Sequence, residues 1–131
     1  MTVLAVLDDL LFRAKLEAAA AQAGAVLETV TGASAAAGRA LKGGTGVRST
    51  DPCALIIVDL TLSTADAVTV IKALRRAAPG VPLLGYYPHA QTDLKARAIE
   101  AGCAWAWPRS LFVLRLPEVL TGALTQQTPG H

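Results

Sequence analysis

The chain reads as short apolar runs separated by longer amphipathic stretches. Thr2–Leu7 (TVLAVL) is the first run, and it ends on Asp8 and Asp9. Over Leu10–Gly24, Phe12, Leu16, Ala19, Ala20 and Ala23 recur at helical spacing, while Arg13, Lys15, Glu17 and Gln22 fall largely off that face. This predicts a helix closed by Gly24. Ala25–Val30 alternates, as an edge strand does. After the turn at Thr31-Gly32, Ala33–Leu41 is nearly all alanine, and a second helix there rests on propensity rather than pattern. Lys42–Pro52 is rich in Gly, Ser and Thr and predicts a surface loop. It follows a helix and precedes a strand, the reverse of the order a phosphate-cradling glycine loop requires.

The second half repeats the alternation. Cys53–Val58 contains Leu55-Ile56-Ile57-Val58, a continuous apolar run of the kind buried on both faces at the centre of a parallel sheet. Asp59 follows it. A strand cannot bury an unpaired carboxylate cheaply, so the chain is expected to leave the sheet there. Ligands of open parallel sheets collect at the carboxyl ends of strands, which makes Asp59 the first candidate functional residue. Thr61–Thr64 is a predicted loop. Ala65–Ala78 is a predicted helix with Val68, Ile71 and Leu74 inward and Lys72, Arg75 and Arg76 outward, capped by Asp66 and ended at Pro79-Gly80. Val81–Tyr86 is the fourth strand, and Pro88–Gln91 is a loop in which His89 is expected at the surface. Thr92–Ala101 is the next helix, with Thr92 as its cap and Gly102 closing it. Cys103–Trp107 is the fifth strand, left through Pro108-Arg109-Ser110. The last helix is expected from Pro117, a good first-turn residue, to about Thr125, followed by a frayed tail over 126–131. Five strands alternating with five helices predict one α/β domain over residues 1–125, a parallel sheet with helices on both faces.

Composition narrows the function classes. The chain is 131 residues, 53% hydrophobic and only 5% aromatic, which suits helices packed through small side chains. Its formal charge is +2, and Arg75-Arg76 is the only adjacent basic pair, so nucleic acid is not an expected partner. No apolar run reaches membrane-spanning length, and no basic segment precedes the first apolar run, so a cytoplasmic protein is expected. Cys53 and Cys103 are too few for a metal site and are expected as buried small hydrophobes.

Two blocks carry a resemblance. Asp59–Arg75 (DLTLSTADAVTVIKALR) and Ala98–Ser110 (AIEAGCAWAWPRS) resemble, in order and spacing, the phosphoacceptor segment and fifth-strand segment of bacterial response-regulator receiver domains. The resemblance covers residues 2 to 125. It implies the flavodoxin-like strand order 2-1-3-4-5, with the site where the order reverses, between strands one and three. It implies Asp59 as phosphoacceptor, Mg²⁺ held by Asp59 with the Asp8-Asp9 pair, and a histidine kinase or downstream signalling protein as partner. If Gly24, Phe12 and Leu16 fix the first helix, Asp8 takes the inner metal-ligand place, Leu7 the outer one, and Asp9 points elsewhere. The family's face made by its fourth helix, fifth strand and fifth helix is a partner or homodimer surface, which gives Trp105 and Trp107 a second reading beside plain buried packing.

This sequence also departs from the family. Tyr87 stands where a small hydroxyl residue is usual, Arg109 where a lysine is usual, and Ser63 and Ala67 where Pro and Gly are usual. Lysine is a compact point charge and arginine a wide planar fork, so the two are not interchangeable in a tight pocket. Arg109 could pair with Asp59 or Asp8 and occupy the site. Tyr87 removes the hydroxyl that would reach the phosphoryl group. The expectation is an atypical receiver acting through protein contacts, with phosphorylation of Asp59 degraded or absent. The alternative is a working single-domain regulator phosphorylated with Mg²⁺. An enzyme is the least favoured class, since no nucleophile–base pair or phosphate loop is evident. Without an output domain in these residues, the chain is expected to act through a partner.

Overall fold

The computed structural model describes residues 2–31, 53–61 and 66–121. The expected helix at 33–41, the loop at 42–52, Ser63, the Cys53 side chain and the tail at 126–131 lie outside the described residues. The elements are β1 (Thr2–Val6), α1 (Leu10–Ala23), β2 (Val26–Val30), β3 (Cys53–Asp59), α2 (Ala67–Ala77), β4 (Leu83–Tyr87), α3 (Asp93–Ala101), β5 (Trp105–Pro108), α4 (Arg109–Leu114) and α5 (Leu116–Thr121). The five strands form one parallel sheet in the order β2-β1-β3-β4-β5, as expected. The order reverses between β1 and β3, and the strands' carboxyl ends open there.

Strand alternation divides the core in two. Leu4, Val6, Ile56, Val58 and Leu83 point to one face, beneath Val70, Ile71 and Leu74 of α2 and Ala98 of α3. Val3, Ala5, Leu55, Ile57 and Leu84 point to the other, beneath Phe12, Leu16 and Ala20 of α1, Phe112 of α4 and Leu116, Val119 and Leu120 of α5. Trp105 and Trp107 belong to this second layer and are buried. They are packing residues, and the reading that put them on an exposed partner surface is overturned.

Helix ends follow local chemistry. Asp66 accepts from the Thr69 amide, so it caps α2 as expected. Gly24 closes α1 at φ +74°, a conformation that costs an L side chain and suits glycine. Gly102 closes α3 at φ +134°, where an added Cβ would stand 2.5 Å from Arg75 Cγ. Thr92 does not cap α3. Its backbone is already helical and its side chain makes no capping bond.

The chain after α3 differs most from expectation. Cys103 N donates to Ala98 O at 3.0 Å, so Cys103 completes the helix end rather than opening a strand. β5 therefore starts at Trp105. One final helix from Pro117 was expected, but two short ones form. The chain turns directly from Pro108 into α4. Pro117 has no N–H for Val113 O, and its ring would crowd that carbonyl, so the helix breaks at Arg115 and restarts.

Candidate functional site at the carboxyl edge of the sheet

The sheet brings Asp8, Asp9, Asp59, Tyr87 and Arg109 to the same edge, at the ends of β1, β3, β4 and β5. Asp59, Asp9 and Arg109 all act electrostatically on the Tyr86 hydroxyl, while Tyr87 turns into the opposite layer. Asp59 ends β3 and is 3% exposed. Its Oδ1 accepts from the Thr61 amide at 2.8 Å and the Thr61 hydroxyl at 2.7 Å. This local loop, with the side chain bonded two residues on, supplies the partners that a buried carboxylate needs.

Asp8 is partly exposed and engaged in interactions of its own. Asp9 is the N-cap of α1, and its Oδ1 accepts from Leu11 N at 3.0 Å and Phe12 N at 3.1 Å. Its Oδ2 faces Arg109 Nη2 at 3.4 Å. The capping bond from Phe12 holds the Asp9 carboxyl below the usual carboxylate range, helped by Leu11 and Arg109 against some burial. A carboxyl lowered in the folded state adds stability that is present above its unfolded pKa and lost as pH falls through the folded value. Asp9→Asn is therefore expected to flatten the acid-side loss of stability in a urea-melt series from neutral to about pH 2.

Arg109 opens α4 on the far side of this edge. Its guanidinium carbon stands 4.3 Å from the Phe12 ring centroid and 5.6 Å from that of Tyr86. Among the described residues, Asp9 is the carboxylate with which it forms an ion pair. The expected alternatives of Asp59 and Asp8 are replaced by Asp9. The reason is geometric: the cap fixes Asp9 beside Phe12, and Phe12 gives the planar guanidinium a surface to lie on.

β4 places its two tyrosines on opposite faces. Tyr87 packs into the layer beneath α2 and α3 and is 3% exposed. Tyr86 is the register partner of Asp59 and packs into the layer beneath α1 and α4. Its ring stacks on Phe112 at 4.9 Å with 7° between planes, and leans on Phe12 at 5.0 Å. Among the described residues, the buried Tyr86 hydroxyl has no hydrogen-bond partner. Burial pushes its pKa far up, with the negative charge of Asp59 adding to the rise and Arg109 opposing it. Sequence reasoning does not reach Tyr86, Phe112 or Thr61 as site residues, and it reads Phe12 only as a core residue of α1. The Asp-x-Thr spacing at 59–61 could have signalled Thr61. Tyr86 required knowing the register between β3 and β4.

The resemblance implies Mg²⁺ among Asp8, Asp9 and Asp59. Asp9's carboxylate is committed to two backbone amides and a guanidinium. Among the described residues, no group of three His, Cys, Asp or Glu side chains is arranged to hold a metal. Asp9 therefore does not complete a three-carboxylate site with Asp8 and Asp59.

No family model matches the chain, and no curated protein does. Solved structures do. NtrX from Brucella abortus superposes with a TM-score of 0.75 at 19% identity, over 95% of this chain and 27% of NtrX. A response-regulator receiver domain from Francisella gives 0.69 at 15% identity, over 94% of this chain and 98% of that one. A receiver domain from Rhodospirillum rubrum gives 0.70 at 18% identity, over 98% and 97%. The chain thus spans about a quarter of NtrX and nearly all of the isolated domains. No helix among the described residues is long and apolar enough to cross a membrane. With the strand order and these superpositions together, the fold is that of a response-regulator receiver domain.

Proposed function

We propose that the chain is a receiver-like signalling module that acts by binding protein partners, with phosphorylation at Asp59 degraded or lost, and that it is not an enzyme. The observation that carries this is the position of Arg109. The cation that the resemblance places at a phosphoryl group is held instead on Asp9 and the Phe12 ring. Phosphoryl transfer spreads negative charge that a cation and a metal must neutralise. Here the cation is turned to Asp9, and Asp9 is itself taken up in capping α1. The partner is a histidine kinase or a downstream signalling protein, met in the cytoplasm. A homodimer through α3, β5 and the α4–α5 segment is the other arrangement in keeping with the fold.

One observation favours the working regulator. Asp59 stands at the carboxyl end of the central strand, beside the point where strand order reverses. The two readings separate on Mg²⁺ binding. An ion bound at about 1 mM affinity and supplied at about 10 mM adds roughly 1.4 kcal/mol of stability. The melting temperature is expected to stay unchanged on adding Mg²⁺. An upward shift abolished by Asp59→Ala would favour the working regulator.

A further inference from the structure

We propose that the groove between α2 and α3 docks an acidic segment of a protein partner that presents an apolar side chain. The inference rests on reading the chain as an interaction module, but not on the state of Asp59.

The groove has a volume of about 250 Å³ and is lined by Val68 and Lys72 of α2 and Arg97, Glu100 and Ala101 of α3. Val68 and Lys72 are four residues apart, as are Arg97 and Ala101. Residues at this spacing lie above one another on a helix face, so two facing rows form the walls. Each row pairs a short apolar residue with a long cation. A smaller neighbouring cavity of about 30 Å³ shares Val68 and Arg97 and is also lined by Ile71 and Leu94. The groove thus has room for a side chain between its walls and apolar surface next to it.

Its charge is one-sided. Lys72 and Arg97 oppose Glu100 alone within the groove. Arg75 and Arg76 continue the cationic side along α2. The nearby acid Asp66 is spent on the Thr69 amide and hydroxyl. Among the described residues neither Lys72 nor Arg97 forms an ion pair. Half-apolar walls with unpaired cations match a carboxylate-rich segment with an apolar anchor. A nucleic acid fits less well, because no aromatic side chain lines the groove for bases to stack on.

The test is selection of peptides from a random displayed library on the immobilised full chain, followed by titration of the selected peptides. Acidic residues flanking an apolar one are expected to be enriched. The double variant Lys72→Glu with Arg97→Glu should weaken the selected peptides by at least tenfold, and Glu100→Lys should strengthen them, at unchanged melting temperature. Equal binding to the double variant, enrichment without acids, or no enrichment overturns the proposal. Peptides that bind equally to the double variant would leave the module reading standing and move its surface elsewhere.

Discussion

Phe112→Ala is expected to destabilise the protein by about 3–5 kcal/mol. The argument starts from position. α4 has only six residues, too few to hold itself as a helix in water. It is fixed by what Phe112 buries. Phe112 is fully buried, stacks flat on Tyr86 and stands 6.0 Å from Phe12. Its removal opens a cavity between β4, α1 and α4 and also ends a stacked pair worth about 0.5–1.5 kcal/mol beyond its area. A domain of this size has roughly 5–15 kcal/mol in all. The melting temperature should fall by roughly 10–20 °C. Phe112→Leu keeps most of the volume and should fall by less than half as much. Equal losses for the two variants would mean that α4 does not depend on this ring. Arg109 opens the same helix, so loosening α4 should also release Arg109 from Asp9.

Tyr86→Phe is expected to act in the opposite direction, raising stability by about 1–3 kcal/mol. The ring stays in its stack between Phe12 and Phe112, so packing is unchanged. What is removed is one hydroxyl, buried and, among the described residues, without a hydrogen-bond partner, on the strand next to a buried carboxylate. A buried polar group left unpaired costs its full desolvation, and an apolar replacement of the same shape recovers it. Urea melts of the two proteins at neutral pH measure the difference directly. A loss of stability in Tyr86→Phe would mean that the hydroxyl is bonded in solution, with the Arg109 guanidinium as a candidate partner.

Much of the architecture was legible because each strand announces itself locally. Leu55-Ile56-Ile57-Val58 can hardly be anything but a buried strand, and Phe12, Leu16 and Ala20 mark one face of α1. Caps were legible where a side chain or glycine has a single local task, as at Gly24 and Asp66. Thr92 shows the limit, since a capping residue type does nothing when its own backbone is already helical. Pro117 carried a conflicting signal. It suits a helix start, but it also bars the helix that begins at Arg109 from continuing, and the sequence does not say which applies. The site was the least legible part. Tyr86 and Tyr87 are adjacent, and only the β3–β4 register decides which one stands beside Asp59. The Arg109–Asp9 pair joins residues a hundred positions apart, and its geometry depends on the Phe12 ring on which the guanidinium lies. These are tertiary facts, and no local pattern contains them.

The central claim is that the carboxylate at the end of β3 is not a working phosphoryl switch. Intact-mass analysis after incubation with acetyl phosphate and Mg²⁺, beside an Asp59→Ala control, tests it most directly. The account predicts no added phosphoryl mass in either protein. A gain of one phosphoryl group in the wild type alone would contradict it, and would make Arg109 and Tyr87 variations that a functioning switch accommodates.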